Sequence, residues 1–512
     1  MSDGRRVGRK TRAGTIALAV ALALLLGACN VTPATPTATL AMLPVSVLPA
    51  GRAQATPPAT LPPGTPLPTP TPDPPHPLPT LVQTPQSYTV QQGDSLNDIA
   101  RRFQVSSAEL IQANQLANPD MLYAGQVLVI PTPELSAPGT PFKTIPDSEL
   151  VNGPAAASFD TLAFVSQQAG VLAGYGTQVD DQVLSGAQIV RRVSLEYSVN
   201  PRLLLALLDY KSGWVTQPSV PAERQLDPLG LESTQFNDLY KQLSWLANAL
   251  NQGYYLWRAN ALAVWTLADG SLVPIAPTLN AGSAAVQYVF SLWDDRATWD
   301  HDVGPQGFYA AFSQMFGDPF GRAVEPLLPA GLAQPELQLP FEPGVSWSFT
   351  GGPHGAWGSG SAWGALDFAP PGDALGCVEN NSWEVAAADG LIVRSENGAV
   401  VEDLDGDGHE ETGWVLLYMH VATQDRIAAG QSVRAGQRIG HPSCEGGVST
   451  GTHLHLARKY NGEWIPADGT LPFVLDGWVS SGAGREYDGW LARGDQKIEA
   501  WNGRRDENQI RR

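Results

Sequence analysis

Six of the eight histidines lie between residues 354 and 455, so metal binding and proton transfer are the first chemistries the sequence raises. The stretch STGTHLHLA, 449–457, carries His453 and His455 with one residue between them. On a strand this spacing puts both imidazoles on one face, roughly 7 Å apart along the backbone. One can hold a metal while its neighbour addresses the attacking water. Upstream, VLLYMHV places His420 at the end of an apolar strand, and GGPHGAWGSGSAWGALDFAPPG, 351–372, contains a single histidine, His354, and a single aspartate, Asp367.

These residues need rigid elements to bring them together. From about 341 to 490 the chain is rich in Gly, Trp, Val and Thr in short alternating segments, the pattern of antiparallel strands. With this setting, the HLH strand resembles the signature of the zinc peptidoglycan endopeptidases that include lysostaphin-type and beta-lytic enzymes. VLLYMHV is similar to that family's Tyr-x-His element, and IAAGQSVRAGQRIGHPS, 427–443, to its glycine-punctuated connection into the HLH strand. The resemblance implies an antiparallel all-β zinc metallopeptidase domain over 341–490. It makes His455 a zinc ligand, and His420 and His453 the pair that acts on the water or stabilises the oxyanion.

The family's usual second ligand is a histidine four residues before the aspartate, where this chain has Trp363. The beta-lytic, staphylolysin-like branch has a different arrangement, Gly-Gly-x-His, then a Gly-Ser-Gly loop, then the aspartate thirteen residues after the histidine. Gly351-Gly352-Pro353-His354, Gly358-Ser359-Gly360 and Asp367 reproduce it. His354, Asp367 and His455 are therefore the expected zinc ligands, two imidazoles and a carboxylate that leave a fourth position open. Such a site carries a net charge near +1, suited to polarising a peptide carbonyl. Trp363 becomes a wall of the substrate groove. A competing reading takes Trp363 as a lesion, giving a non-catalytic peptidoglycan-binding or hydrolase-activating protein on a degenerate peptidase fold.

The N-terminus sets the compartment. Five basic residues precede AGTIALAVALALLLGA, 13–28, an apolar run too short to span a bilayer and typical of a signal peptide. Leu26-Gly27-Ala28-Cys29 resembles a bacterial lipobox, which implies lipidation at Cys29 and an extracytoplasmic, membrane-anchored protein facing the cell wall. Cys377 and Cys444 are left, either as one disulfide in an oxidising compartment or as two buried thiols; beta-lytic relatives carry a disulfide cysteine at the position of Cys444.

Residues 30–86 are dominated by Pro, Thr and Ala, the composition of an extended tether, in which His76 is expected to be solvated. Residues 87–131 read as strand, helix, helix, strand: a strand near Tyr88, a helix capped by Asp94 or Ser95, a second helix over Ser107–Asn114 and a closing strand over Val127–Ile130. This stretch closely resembles a LysM domain, a small α+β fold. The resemblance implies binding to N-acetylglucosamine in peptidoglycan glycan chains, with Gly93, Asp94, Ser95, Leu96, Asn114 and Pro119 at the site. Through the tether such a module raises local substrate concentration.

After a linker at 132–147, residues 148–322 read as mostly helical. SVNPRLLLALLDYKSGW resembles the opening of a lysozyme-like domain, with Lys211 where that family has its catalytic glutamate. A lysine cannot serve as a raised-pKa carboxylic acid, so this domain is expected to be non-catalytic, with Asp209 or Glu223 as weaker substitutes. Residues 491–512 read as a tail. Asp403, Asp405 and Asp407 open like a calcium loop, but position twelve is Trp414, leaving Ca2+ and a plain hairpin turn both open; His409 and His441 are expected to face water. A net charge of −19 in 512 residues argues against a nucleic-acid partner.

Overall fold

The computed structural model describes residues 73–512. The signal peptide, Cys29 and most of the 30–86 segment lie outside the described residues. The LysM-like unit follows its sequence pattern closely. Strand β1 (Gln86–Thr89) pairs antiparallel with β2 (Val127–Ile130), with α1 (Leu96–Phe103) and α2 (Ser107–Asn114) between them. Ser95 caps α1 by accepting from Asp98 N–H, and Ser106 and Glu109 form a reciprocal capping box on α2. Leu96, Ile99, Ala100, Leu110, Leu128 and Ile130 close a small core.

This unit is docked onto the helical region. Gln104, in the left-handed position that ends α1, donates to Ala261 O and accepts at Oε1 from the N–H groups of Ala263 and Val264. The last part of the expected tether is also laid down, because Asp73 and His76 donate backbone bonds to Thr278 O and Pro277 O. His76 is not solvated as expected: its ring stacks on Trp257 at 4.3 Å, with Nε2 2.8 Å from Trp257 O. An aromatic face removes the imidazole from water, which composition alone does not reveal. The 132–147 segment is packed too, with Ile145 fully buried.

The helical region centres on α3 (Gly186–Tyr197), α4 (Pro201–Ser212), α5 (Leu239–Arg258) and α6 (Ala281–Trp293). Helix α4 begins where Asn200 accepts from Arg202 N–H with proline at its first turn, and Leu203 to Leu208 are buried on every side of it. Lys211 lies over the Trp293 ring at 4.5 Å, with Nζ 3.9 Å from Asp294. Asp209 accepts from Val215 N–H, Thr216 N–H and the Thr216 hydroxyl, and Glu223 is exposed on a five-residue helix.

The C-terminal half is built on an antiparallel sheet that has nine strands among the described residues. Its order is Ser432–Val433, β5 (Gly390–Glu396), β6 (Ala399–Asp403), β7 (Trp414–Met419), β8 (Leu454–Tyr460), β4 (Ala365–Ala369), β3 (Ser346–His354) and Gln509–Arg511, with Glu463–Trp464 pairing off β8. The run WVLLYM is apolar at nearly every position because both faces of its strand are covered. Leu416 and Tyr418 face one core with Leu366, Leu454 and Leu456; Val415, Leu417 and Met419 face the other, which is continuous with the helical region. The helical region is therefore one wall of the sheet. The expected 491–512 tail is part of the fold: Ile510 pairs with Trp347, Leu491 pairs with Ile498, and Leu491, Ile498 and Ile510 are all buried, apolar residues that a charged segment conceals in the sequence.

Candidate metal centre

Four neighbouring strands bring the site together by register. Asp367 on β4 stands directly opposite His455 on β8, and His455 stands opposite Met419, the last residue of β7 before His420. On the other side of β4, Gly351 pairs with Asp367 and His354 with Ala365, so β3 carries a bulge between them that turns His354 toward Asp367. Gly351 is required by this approach, since a Cβ there would lie 2.7 Å from Asp367 Oδ2. The bulge and the strand pairing set the distance between His354 and Asp367.

Three donor atoms converge in a buried triangle. His354 Nε2 is 3.0 Å from His455 Nδ1 and 3.2 Å from Asp367 Oδ1, and His455 Nδ1 is 3.3 Å from Asp367 Oδ1. Metal bonds of about 2.0–2.1 Å at tetrahedral angles set donors about 3.3 Å apart, so the triangle has zinc dimensions. The tautomers agree with this. His354 Nδ1 is 2.8 Å from Gly352 O and His455 Nε2 is 3.0 Å from Ala356 O. A carbonyl only accepts, so each of these nitrogens carries its ring's proton and leaves the other nitrogen as a lone pair facing the centre. Asp367 Oδ1 is buried with no hydrogen-bond partner. Two lone pairs and an unpartnered carboxylate oxygen create a demand for positive charge.

The charge states express that demand. Burial opposes ionisation of Asp367, but His354, His455 and His453 outweigh it and hold the carboxyl well below its ordinary range. Burial likewise opposes a charged His354, yet Asp367 and the Gly352 carbonyl leave its pKa raised.

His420 and His453 form the second pair, with ring centres 4.5 Å apart. His453 Nε2 is 3.6 Å from Asp367 Oδ1. His453 Nδ1 lies 2.7 Å from Gly451 O and His420 Nδ1 lies 3.0 Å from Glu445 O, so both rings keep Nε2 free to accept. Burial, with His453 and His455 nearby, brings His420 down to about 3. His420 also has left-handed backbone, φ 67°, a conformation non-glycine residues adopt seldom.

A comparison with known proteins decides the family. Over 154 residues the chain is 30% identical to beta-lytic metalloendopeptidase of Lysobacter enzymogenes, covering 30% of this chain and 83% of that protein. The chain belongs to peptidase family M23. Residues 378–466 match the family directly and hold His420, His453 and His455, whereas His354 and Asp367 lie upstream of that segment. Residues 88–131 match the LysM domain, and residues 143–327, the region expected to be lysozyme-like, match the N-terminal domain of LasA. Protease LasA of Pseudomonas aeruginosa is 31% identical over 300 residues, 53% of this chain, and the chain spans 66% of its length. The solved deep-sea M23 metalloprotease pseudoalterin aligns with 35% of this chain and all of its own at 24% identity, with a TM-score of 0.29.

The candidate site has further parts. Tyr487, which the sequence pattern does not single out, stacks on His354 with ring centres 4.3 Å apart, and burial pushes its phenol up to about 12. It is held by Gly352 N–H donating to Tyr487 O and Tyr487 N–H donating to Pro353 O, in left-handed backbone at φ 69°. No motif marks it because it arrives from a loop over a hundred residues beyond His354. Trp363 stands outside the donor triangle and is one of the more exposed large side chains, at 36%.

Cys377 and Cys444 form a disulfide across 67 residues. It holds the backbone at Glu445, whose carbonyl orients His420. Closing a loop of that length restricts the unfolded chain by about 4 kcal/mol in the entropic account. Reduction is expected to lower the melting temperature by several degrees and to lower activity further than zinc content; equal melting curves with and without reductant contradict this.

Asp403, Asp405 and Asp407 lie together, but they accept from the N–H groups of Asp405, Gly408, Asp407 and His409 and from the Thr412 hydroxyl, which ties the turn. His409 is exposed as expected. His441 is not: it is buried against Trp383 at 3.8 Å and bonded to Ser382 O. In the LysM domain Gly93 and Ser95 are exposed and Leu96 is in the core. Asp94 accepts from Tyr88 OH and Gln91 N–H, and Pro119 is half-buried. The Asn114 amide bridges both backbone groups of Val129, so it closes the domain on β2.

Proposed function

We propose that this protein is a zinc-dependent endopeptidase that hydrolyses peptide cross-bridges of bacterial peptidoglycan, with its LysM domain holding the glycan. The observation that carries the reading is the buried donor triangle of His354, Asp367 and His455, in which the remaining ring nitrogens are tied to carbonyls. When bound there, zinc supplies Lewis-acid polarisation of the scissile carbonyl and acidifies the attacking water. The protein's own groups do the rest. His420 and His453 present Nε2 beside the open face of the triangle, one to take the water's proton on its lone pair and pass it to the leaving amine, the other to donate to the developing oxyanion once its own Nε2 is protonated. Tyr487 covers His354 and shields that side from solvent, while exposed Trp363 lines the groove. The Gln104 clamp gives the LysM domain a fixed station relative to the peptidase. Export with a lipid on Cys29 places this assembly outside the cytoplasm, anchored to the membrane and facing the wall.

The test is metal analysis combined with digestion of purified peptidoglycan, comparing the wild-type chain with His354→Ala and Trp363→Ala. One zinc per chain and peptide-bond cleavage are expected of the wild type, loss of both in His354→Ala, and retained zinc in Trp363→Ala. Full zinc occupancy and digestion in His354→Ala would sink the assignment.

A further inference from the structure

Asn248 belongs to helix α5 of the helical region, yet both ends of its amide are used by the glycine-rich loop after His354. Gly360 N–H donates to Asn248 Oδ1 at 2.8 Å, and Asn248 Nδ2–H donates to Ser359 Oγ at 3.2 Å. The contact is close enough that a Cβ on Gly360 would lie 2.0 Å from the Asn248 carbonyl oxygen. The loop is stiff once seated. Ala356 N–H donates to Ala362 O at 3.0 Å, Trp357 N–H donates to Ser361 Oγ at 3.0 Å, and Ser361 OH donates to Gly358 O at 3.2 Å. At its far end this loop presents Ala356 O, the acceptor 3.0 Å from His455 Nε2.

From this chain of contacts we infer that Asn248 is a positioning residue for the metal centre: the helical region, through Asn248, sets the carbonyl that fixes the tautomer and ring orientation of His455. The inference rests on the zinc reading above. An imidazole free to rotate or to move its proton to Nδ1 offers no lone pair to the triangle, so loosening the loop weakens metal binding without removing a ligand. The glycines of the Gly-Ser-Gly loop have a physical purpose here, which is to let the loop backbone lie directly on α5.

The experiment uses the full chain and reads the zinc dissociation constant by chelator competition, together with the visible spectrum of the Co2+-loaded protein. Asn248→Ala is expected to weaken zinc by on the order of 10-fold, the low end for loss of an outer-shell partner, and to alter the Co2+ spectrum. Asn248→Asp keeps the acceptor for Gly360 N–H and is expected to stay near wild type. Gly360→Ala lifts the loop by pushing its Cβ against the Asn248 backbone carbonyl, keeps the sequence of α5 unchanged and is expected to behave as Asn248→Ala, which keeps the test decisive if that variant does not fold. Arg258→Gln, which cuts the Arg258 to Glu463 bond elsewhere in the same interface, is expected to bind zinc normally. Wild-type affinity in Gly360→Ala or in folded Asn248→Ala overturns the inference. So does an Arg258→Gln variant as weak as Asn248→Ala, since the effect then belongs to the interface in general. A wild-type chain that takes up no zinc overturns the zinc reading itself, and this inference with it.

Discussion

His420→Asn is expected to keep its zinc and to cleave peptide about 10²- to 10⁴-fold more slowly, the range for losing a positioned proton-transfer group. Asparagine is the informative replacement because position 420 has φ 67°, which asparagine tolerates better than alanine does. The ring is outside the donor triangle, so metal uptake should survive. Its Nε2 is the group that is lost, and no neighbour replaces it, because His453 is already committed to its own position through Gly451 O. His453→Ala should have a similar effect. The double variant should be little worse than either single one, since the two rings act as a unit on the same addition step and their effects do not add. Asp367→Ala, in contrast, removes a donor and should lose metal and activity together. Zinc content and kcat measured on the same preparations separate the two classes. Loss of metal in His420→Asn, as complete as in Asp367→Ala, would move His420 into the coordination sphere and undo the assignment of roles.

Much of this site was legible in the sequence for a definite physical reason. A strand alternates its faces, so the HLH spacing and the position of His420 after VLLYM carry geometry directly. The LysM pattern is legible on the same grounds, down to the end residues of α2 and β2. His354 is harder, because a bulge sets its distance to Asp367, and only the beta-lytic resemblance indicated which histidine to choose. Tyr487 and Asn248 are beyond sequence reasoning altogether: each reaches the site from a distant segment through contacts that no spacing encodes. The same limit explains the apparent tether and tail. Pro-rich 73–86 and charged 491–512 have the composition of solvated chain, yet His76 is half-buried and Ile510 fully buried by partners some 180 and 160 residues away. It also explains the sheet: WVLLYM signals a strand buried on both faces, but not that a helical region of the same chain supplies the second cover.

The HEET segment, 409–412, illustrates the limit and supports the second large prediction. It has the composition of a polar turn, but Glu410 is only 5% exposed. Its carboxylate accepts from Arg394 Nε at 2.7 Å and Nη2 at 3.1 Å and from Lys459 Nζ at 3.0 Å, so one buried anion joins β5 and β8, the strand that carries His455. Burial alone would raise the Glu410 pKa, but Arg394 and Lys459 overcome it and bring the group to about 2, against an ordinary 4.5. The sign of the linkage follows. The folded state binds this proton more weakly than the unfolded chain does, so the contribution to stability is fully present above pH 4.5 and disappears as pH falls toward 2. A shift of this size corresponds to roughly 3 kcal/mol. Glu410→Gln leaves a guanidinium and an ammonium buried without a counter-charge, which typically costs 3–5 kcal/mol. Denaturant unfolding of the wild type and Glu410→Gln at pH 7 and near pH 2.5 tests both statements. The variant should be less stable by several kcal/mol at neutral pH, and the gap should narrow in acid as the wild-type carboxylate is protonated. A gap that is constant with pH contradicts the ionic account and leaves only shape complementarity at Glu410. Because β8 holds His455 in register with Asp367, the variant should also release zinc at a lower denaturant concentration than the wild type.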